Sequence, residues 1–360
     1  MGPDTPRFTP PRPDPSLPPI TVNLYSDTQT KPTPAMRAAM LEAEVGDEQS
    51  GLDPTINLLC DRMAALLGKA AAMFLPTGTM CNEVAILTHC RPGDDILAHA
   101  SAHIAGAEGG APWALAGVRV NPLPGDLGLF SADTLRDAIY PRGRYTPPAT
   151  LVSVEQTANL GGGTIWPLGH LAEVAGIAHE HGMATHMDGA RLLNAAVAAG
   201  QSAADMAAHY DSVWLDFTKG LGAPLGAVLA GSAAFIDQAW RWKQRMGGAL
   251  RQGGICAAGC LYALDHHVAR LADDHANARR LAAGIAQIPG LSAAAPPTNL
   301  VFIDTAGLGI TANEFANRLR QCGVSVSVMG RTIARACLHL DVSAPDVDQA
   351  LAAMRQVASH

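Results

Sequence analysis

Short apolar runs alternate with helically spaced segments along most of this 360-residue chain, and that alternation restricts its fold more than any other feature. From about residue 34 the helical "PTINLLCDRMAALLG", the strand "AAMFLPT" and the helical "MCNEVAILTHC" follow one another. After an irregular stretch that includes the strand-like "DILAHA" come strand "LVSVEQT", helix "HLAEVAGIAHEHG", strand "MATHMDGA", helix "ARLLNAAVAAG" and the strands "SVWLDFT" and "LGAVLAG". Uniformly apolar strands are covered on both sides, so the pattern predicts an α/β fold: a mostly parallel sheet with helices on both faces. The last two strands are too close for a crossover helix and must form a hairpin, which puts one antiparallel strand in the sheet. After about residue 246 an Ala-rich helical region, 255–288, precedes "TNLVFIDT" and a short α+β tail. The expected units are a large domain over 21–245 and a smaller C-terminal α+β domain over 246–360.

Composition narrows the partners. Hydrophobic residues at 48% and charged residues at 16% describe a globular chain. A net charge of −7 with both signs interspersed leaves no basic stripe, so neither nucleic acid nor an anionic membrane is expected as a partner. Residues 1–20 are proline-rich and lack the apolar core of a secretory signal, which reads as an extended or disordered tail. Seven cysteines without framework spacing read as free thiols in a reducing compartment, so a soluble, cytoplasmic protein is expected. Cys256 and Cys260 are four apart, but no second Cys/His pair has ligand spacing, and no metal is expected.

In open α/β sheets ligands bind beyond the carboxyl ends of the strands. Four polar features fall there. Thr77-Gly78-Thr79 follows a strand and opens a helix, where backbone N–H groups favour a phosphate; a capped helix explains the same residues. Asp188 ends an apolar strand, a costly place for a carboxylate without a cation, and Arg191 is near; a helix cap with a local ion pair explains the same residues equally well. Lys219, one of four lysines, lies in the hairpin turn "DFTKGLGAPLG". Lost hydration beside apolar strands favours a neutral amine able to attack a carbonyl, although a surface turn lysine is the plainer reading of the turn by itself. His103 follows "DILAHA" and reads either as a structural histidine or as a base or stacking partner. Taken together, a lysine, a carboxylate and a phosphate cup are what pyridoxal 5'-phosphate requires. "PTGTMCN" lacks the G-x-G-x-x-G spacing of a nicotinamide site.

With these parts in place the sequence resembles the threonine aldolase (β-eliminating lyase) family of fold-type-I pyridoxal-phosphate enzymes. The resemblance runs from about residue 22 through "LYSDTQTKPTPAMRAAM", "EVGDEQSGLDPTINLL", "FLPTGTMCN", "HMDGARLLN", "DFTKGLGAPLG", "GGALRQGG" and "ARACLHLDV". It implies a seven-stranded sheet and a role for each residue. Lys219 would be the Schiff-base lysine, Asp188 the partner of the pyridine nitrogen, and Arg191 a neighbour of the ring hydroxyl. Gly78 and Thr79 would hold the phosphate and His103 would stack on the ring. Arg335 and Ser26 would bind the substrate carboxylate. Arg251 would reach the phosphate in a neighbouring subunit of a homodimer or homotetramer with shared sites.

The implied reaction is retro-aldol cleavage of an L-β-hydroxy-α-amino acid to glycine and an aldehyde. Amino-acid racemisation or β-elimination on the same scaffold is the alternative, and a non-catalytic protein that kept the fold is a further one. The chain departs from the family at Tyr25, at Ser50, at Ala158 and near Tyr145, all expected around the substrate's β-substituent. Small Ser50 and Ala158 lead to the expectation of room for a substituent larger than methyl, with Tyr145 near it. With the second family histidine absent, His103 is the expected base.

Overall fold

The computed structural model describes residues 14–141 and 143–359. Most of the expected tail, residues 1–13, lies outside them. Their eleven strands are β1 (Val22–Leu24), β2 (Ala71–Leu75), β3 (Asp95–His99), β4 (Arg119–Leu123), β5 (Ala149–Glu155), β6 (Ala184–Gly189), β7 (Ser212–Asp216), β8 (Ala227–Gly231), β9 (Leu300–Asp304), β10 (Val324–Val328) and β11 (Ile333–Cys337). Seven form the main sheet, in the order β2-β8-β7-β6-β5-β3-β4. All of its strands but β8 run one way, and β8 is antiparallel to both neighbours. The hairpin expected from sequence is β7–β8. Its return strand passes Gly226 at φ 130°, where a Cβ would lie 2.7 Å from both the Cys260 sulfur and the Phe74 ring, so only glycine fits. β4, not expected from the sequence, is an edge strand that carries Pro122; a central strand would lose a ladder hydrogen bond to a proline, and an edge strand tolerates one.

The second sheet, β1-β10-β11-β9, has its own apolar core around Phe315, Leu319, Val301 and Met354. Its composition shifts the expected domain boundaries. Residues 22–24 pair with β10, so the first strand of the large unit belongs to the small sheet. The Ala-rich region is two helices. Gly254–His266 packs on the helices Pro34–Leu41 and Pro54–Leu66 of the large unit, whereas Leu271–Ile285 also covers β9. Alanine-rich helices carry little information about which surface they cover, because their small side chains fit against either.

Because β2, β3, β5, β6 and β7 are co-directional, their carboxyl ends share one edge of the main sheet. Ser26, just past the end of β1, and Arg335, in the middle of β11, come to the same edge, where they line a common cavity. Among the described residues no helix is long and apolar enough to cross a membrane.

Candidate active site

That cavity, of about 330 Å³, is lined by Thr77, Gly78, Thr79, His103, Asp188, Arg191, Lys219, Arg335 and Ser26. Nine positions singled out in the sequence thus converge although they come from five strand ends and the middle of β11. Glu108, Glu155, Asp216, Asn159, Thr28, Trp214 and Ala190 complete the wall and were not singled out.

Lys219 is mostly buried, with 17% of its side chain exposed. Its carbonyl accepts hydrogen bonds from Thr30 Oγ1 (2.8 Å) and the Gly222 amide (2.9 Å), which fixes the turn. Its ammonium pairs with Asp216 at the end of β7 and lies 5.6 Å from the centre of the Trp214 ring. The lysine is therefore not unpartnered. The other oxygen of Asp216 accepts from the amide and hydroxyl of Thr218, both at 2.8 Å, so the carboxylate cannot swing away.

Gly78 and Thr79 begin the helix Gly78–His89, whose cap is Thr77; the Thr77 hydroxyl accepts from the Met80 amide at 3.2 Å. A Cβ at position 78 would overlap the Trp214 ring, so a glycine is required for the helix start to sit over the indole. Asp188, 3% exposed, accepts from Asn82 Nδ2 (3.0 Å) and from the Ala190 amide (3.0 Å) and has no cation paired with it. Burial, against the hydrogen bond from Asn82 and the charges of His103 and Lys219, leaves its carboxyl above the usual carboxylate range. Arg191 does not pair with Asp188. Its guanidinium is bidentate to Asp27, at 2.7 Å on both arms, and Asn299 Nδ2 adds a bond at 3.1 Å. Burial raises Asp27, but Arg191, Lys219 and Asn299 outweigh it and hold the carboxyl well below its usual range.

His103 Nδ1 contacts Glu108 Oε1 at 2.8 Å, and its amide donates to Glu155 Oε2 at 3.0 Å. The Glu108 hydrogen bond raises the imidazole pKa, against burial, with Asp188 adding to the effect. Glu155 also accepts from the Asn159 amide (2.8 Å); burial and then Asp188 push it up to about 7. Glu83, on the helix Gly78–His89, is buried and pushed up to about 9 by burial and by Glu108, which favours its protonated form at neutral pH. Arg335 is bonded through Nε to Ser327 Oγ (3.2 Å) and through Nη1 to Asn159 Oδ1 (2.9 Å), both neutral; no described carboxylate forms an ion pair with it. An unneutralised guanidinium at a cavity wall is a carboxylate receptor.

Five positions from the sequence, Tyr25, Ser50, Ala158, Tyr145 and Arg251, are not among the residues that line the cavity. Ser50 is exposed on the turn Glu48–Ser50 and bonds Asp47 at 2.7 Å. Arg251, with 65% of its side chain exposed, contacts the same Asp47 at 3.4 Å. Tyr145 is 92% exposed and precedes β5, at the opposite edge of the sheet. Ala158 is buried, but a Cβ on Gly128 would lie 2.5 Å and one on Gly161 3.1 Å from its methyl; packed loops already fill the space beside it. Room for a larger substituent is thus not opened at Ser50 or Ala158 within the chain, because one faces outward and the other is covered. Glu155 and Asp216 end apolar strands just as Asp188 does, a signal the sequence contains.

The family model for beta-eliminating lyases matches residues 23–307. The low-specificity L-threonine aldolase 1 of Arabidopsis thaliana is 35% identical over 343 residues, 93% of this chain and 96% of its own length. The low specificity L-threonine aldolase of Escherichia coli K12 is 37% identical over 89% of this chain and 95% of its own. A threonine aldolase of Leishmania major superposes with a TM-score of 0.81 over 94% of this chain and 99% of its own at 21% identity, which shows the shared fold. On the family match and the two relatives above 30% identity, this chain belongs to the beta-eliminating lyase family.

Proposed function

We propose that the protein is a pyridoxal-phosphate-dependent aldehyde-lyase that cleaves an L-β-hydroxy-α-amino acid of the threonine type to glycine and an aldehyde, and runs the reverse condensation. The observation that carries this reading is the convergence on one cavity of Lys219, Asp188, the helix start at Gly78 and Thr79, and Arg335 without a carboxylate partner. The threonine aldolases of Arabidopsis and Escherichia coli support the substrate class.

The residues present fit the cofactor. Gly78 and Thr79 open the helix Gly78–His89 at the cavity wall, where free backbone amides suit a phosphate, and Asp188 is a buried carboxylate that still lacks a cation. Lys219 would bind the aldehyde carbon, Asp188 the pyridine nitrogen, and the amides of Gly78 and Thr79 the phosphate. His103 would cover the ring face, with Arg191 beside the ring hydroxyl. When bound, the cofactor supplies a sink for the electron pair released as the Cα–Cβ bond breaks.

The chain's own residues supply the rest. Arg335 grips the substrate carboxylate in a planar, two-pronged contact, held in orientation by Ser327 and Asn159 and helped by Ser26. That grip sets which bond of the α-carbon is aligned for cleavage. With Nδ1 on Glu108, His103 has Nε2 left to accept the β-hydroxyl proton. Asp216 holds the Lys219 amine ready when it is free. Ser50 and Arg251 meet at Asp47 on the surface, which supports a role for both in a neighbouring subunit's site, and hence a homodimer or homotetramer. Tyr145 would reach substrate only across such an interface. The free thiols are compatible with a cytoplasmic location.

Incubating the cofactor-loaded protein with threonine, allo-threonine, phenylserine, alanine and a β-leaving-group amino acid tests the reading. Glycine and aldehyde in equal amounts from the hydroxy amino acids are expected. Racemised alanine, or a 2-oxo acid with ammonia, as the main product overturns it.

A further inference from the structure

Behind Asp188 the interior of the sheet is unusually polar. Strand alternation puts His186 and Asp188 of β6 on one face, and Ser212 and Trp214 of β7 opposite them, in the register His186↔Ser212 and Asp188↔Trp214. The helix Gly78–His89 lies over that face, and its Asn82 and His89, two turns apart, point at the same rows. Asn82, His186 and Ser212 have no exposed surface.

The donors in this cluster can be assigned from one fixed point. An indole N–H only donates. Trp214 Nε1 contacts Asn82 Oδ1 at 2.7 Å, so the amide oxygen faces the indole and Nδ2 faces the carboxylates. Nδ2 then donates to Asp188 Oδ2 (3.0 Å) and to Glu108 Oε1 (2.7 Å). His186 Nε2, 3.1 Å from Oδ1, must carry a hydrogen. Burial pushes His186 down to about 3, so the ring is neutral and Nδ1 is a lone pair. That lone pair takes the hydroxyl hydrogen of Ser212 at 2.8 Å, and Ser212 Oγ in turn accepts from His89 Nε2 at 2.8 Å. His89 is stacked on Phe235 with ring centres 4.6 Å apart and fronts a separate cavity of about 560 Å³ at the amino-terminal edge of the sheet.

We propose that His89, Ser212, His186 and Asn82 form a one-way hydrogen-bond relay, running from the far edge of the sheet to the site, whose donors all point toward Asp188 and Glu108 and hold Asp188 as an anion in place. These are positioning residues, since none lines the cofactor cavity. Every bond in such a chain polarises the next in the same sense, which favours negative charge at its end. The need is local. Asp188 is faced by Lys219 and His103 but also by Glu108 and Glu155, and it is nearly all buried, so charge on it is costly without aligned donors. Asn82 saturates both of its donors and both acceptor sites within the network, so it links Asp188 to the Glu108–His103 pair as well.

The relay's direction is testable without cofactor; its effect on Asp188 rests on the function proposed above. Nitrogen-15 spectra of the histidine-labelled, cofactor-free protein at neutral pH should show His186 and His89 both protonated on Nε2 alone. An Nδ1–H tautomer or an imidazolium at His186 overturns the relay, whatever the reaction is. Ser212→Ala removes one donor and is expected to raise the dissociation constant for pyridoxal phosphate about threefold to tenfold, the usual effect of one hydrogen bond. The increase should grow as pH falls, because Asp188 protonates more easily, and Ser212→Thr should restore the wild-type value. A pH-independent loss, or no loss, in Ser212→Ala also overturns the proposal. If wild-type protein binds no pyridoxal phosphate, the functional reading fails, and the tautomers alone still decide the relay.

Discussion

On the proposed role of His103 as the base, its contact with Glu108 at 2.8 Å sets the acid side of the expected activity profile. A base must be neutral to accept a proton, and the Glu108 hydrogen bond keeps His103 protonated above its ordinary value of 6.5. Activity should therefore rise with pH on the alkaline side of 6.5, and Glu108→Gln should move that limb of kcat/KM to lower pH. His103→Phe should lower kcat by about 10²–10⁴, the range for loss of a general base. Arg335→Lys keeps the charge and loses the fork; a loss of about 1.5–3 kcal/mol, roughly tenfold to hundredfold in kcat/KM, is expected from steady-state kinetics. At this scale the sequence was readable where a polar residue interrupts an apolar strand end, as at Asp188 and Lys219. It was not readable where the partner is remote. Arg191 next to Asp188 suggests a local pair, but its partner Asp27 lies 164 positions away, and the Asn82–Asp188 contact spans 106.

Among the elements, the start of the helix Gly78–His89 depends on its first residue. Gly78→Ala would drive a methyl into Trp214 and displace the helix start, so cofactor affinity should fall while the circular dichroism of the fold is retained. Absorbance titration with pyridoxal phosphate measures this; unchanged affinity would remove the helix start from the phosphate site. The turn Glu48–Ser50 is fastened by Glu48, whose carboxylate pairs with the fully buried Lys243 and accepts the Leu250 amide at 2.6 Å. Glu48→Ala strands that ammonium, and unfolding in urea should show a loss of about 3–5 kcal/mol. The strands and helices that bear the site were legible from apolar period alone. β4 was hidden by Pro122, and the small sheet's first strand by its distance from β10 in sequence, because pairing across 302 positions, as in Val22↔Val324, leaves no local trace.

For the whole molecule, protonation and folding are coupled in two opposing ways. Burial lowers His89 to about 4, His186 to about 3 and His275 to about 4, so the unfolded chain binds more protons below its ordinary 6.5 and stability falls as pH falls. Asp27, held below its usual range in the fold, adds a further loss as pH drops past 3.8. In the other direction Glu155 at about 7 and Glu83 at about 9 keep protons that the unfolded chain has released above 4.5, so stability falls as pH rises toward 9. Urea midpoints of the cofactor-free protein should peak on the acid side of neutrality, and Glu83→Gln should flatten the decline between pH 7 and 9.

The most direct measurement uses the scarcity of lysine, only Lys31, Lys69, Lys219 and Lys243 in the whole chain. Borohydride reduction of the protein with pyridoxal phosphate, followed by peptide mapping, should place the pyridoxyl group on Lys219 alone. Label on another lysine, or none on Lys219, contradicts the site.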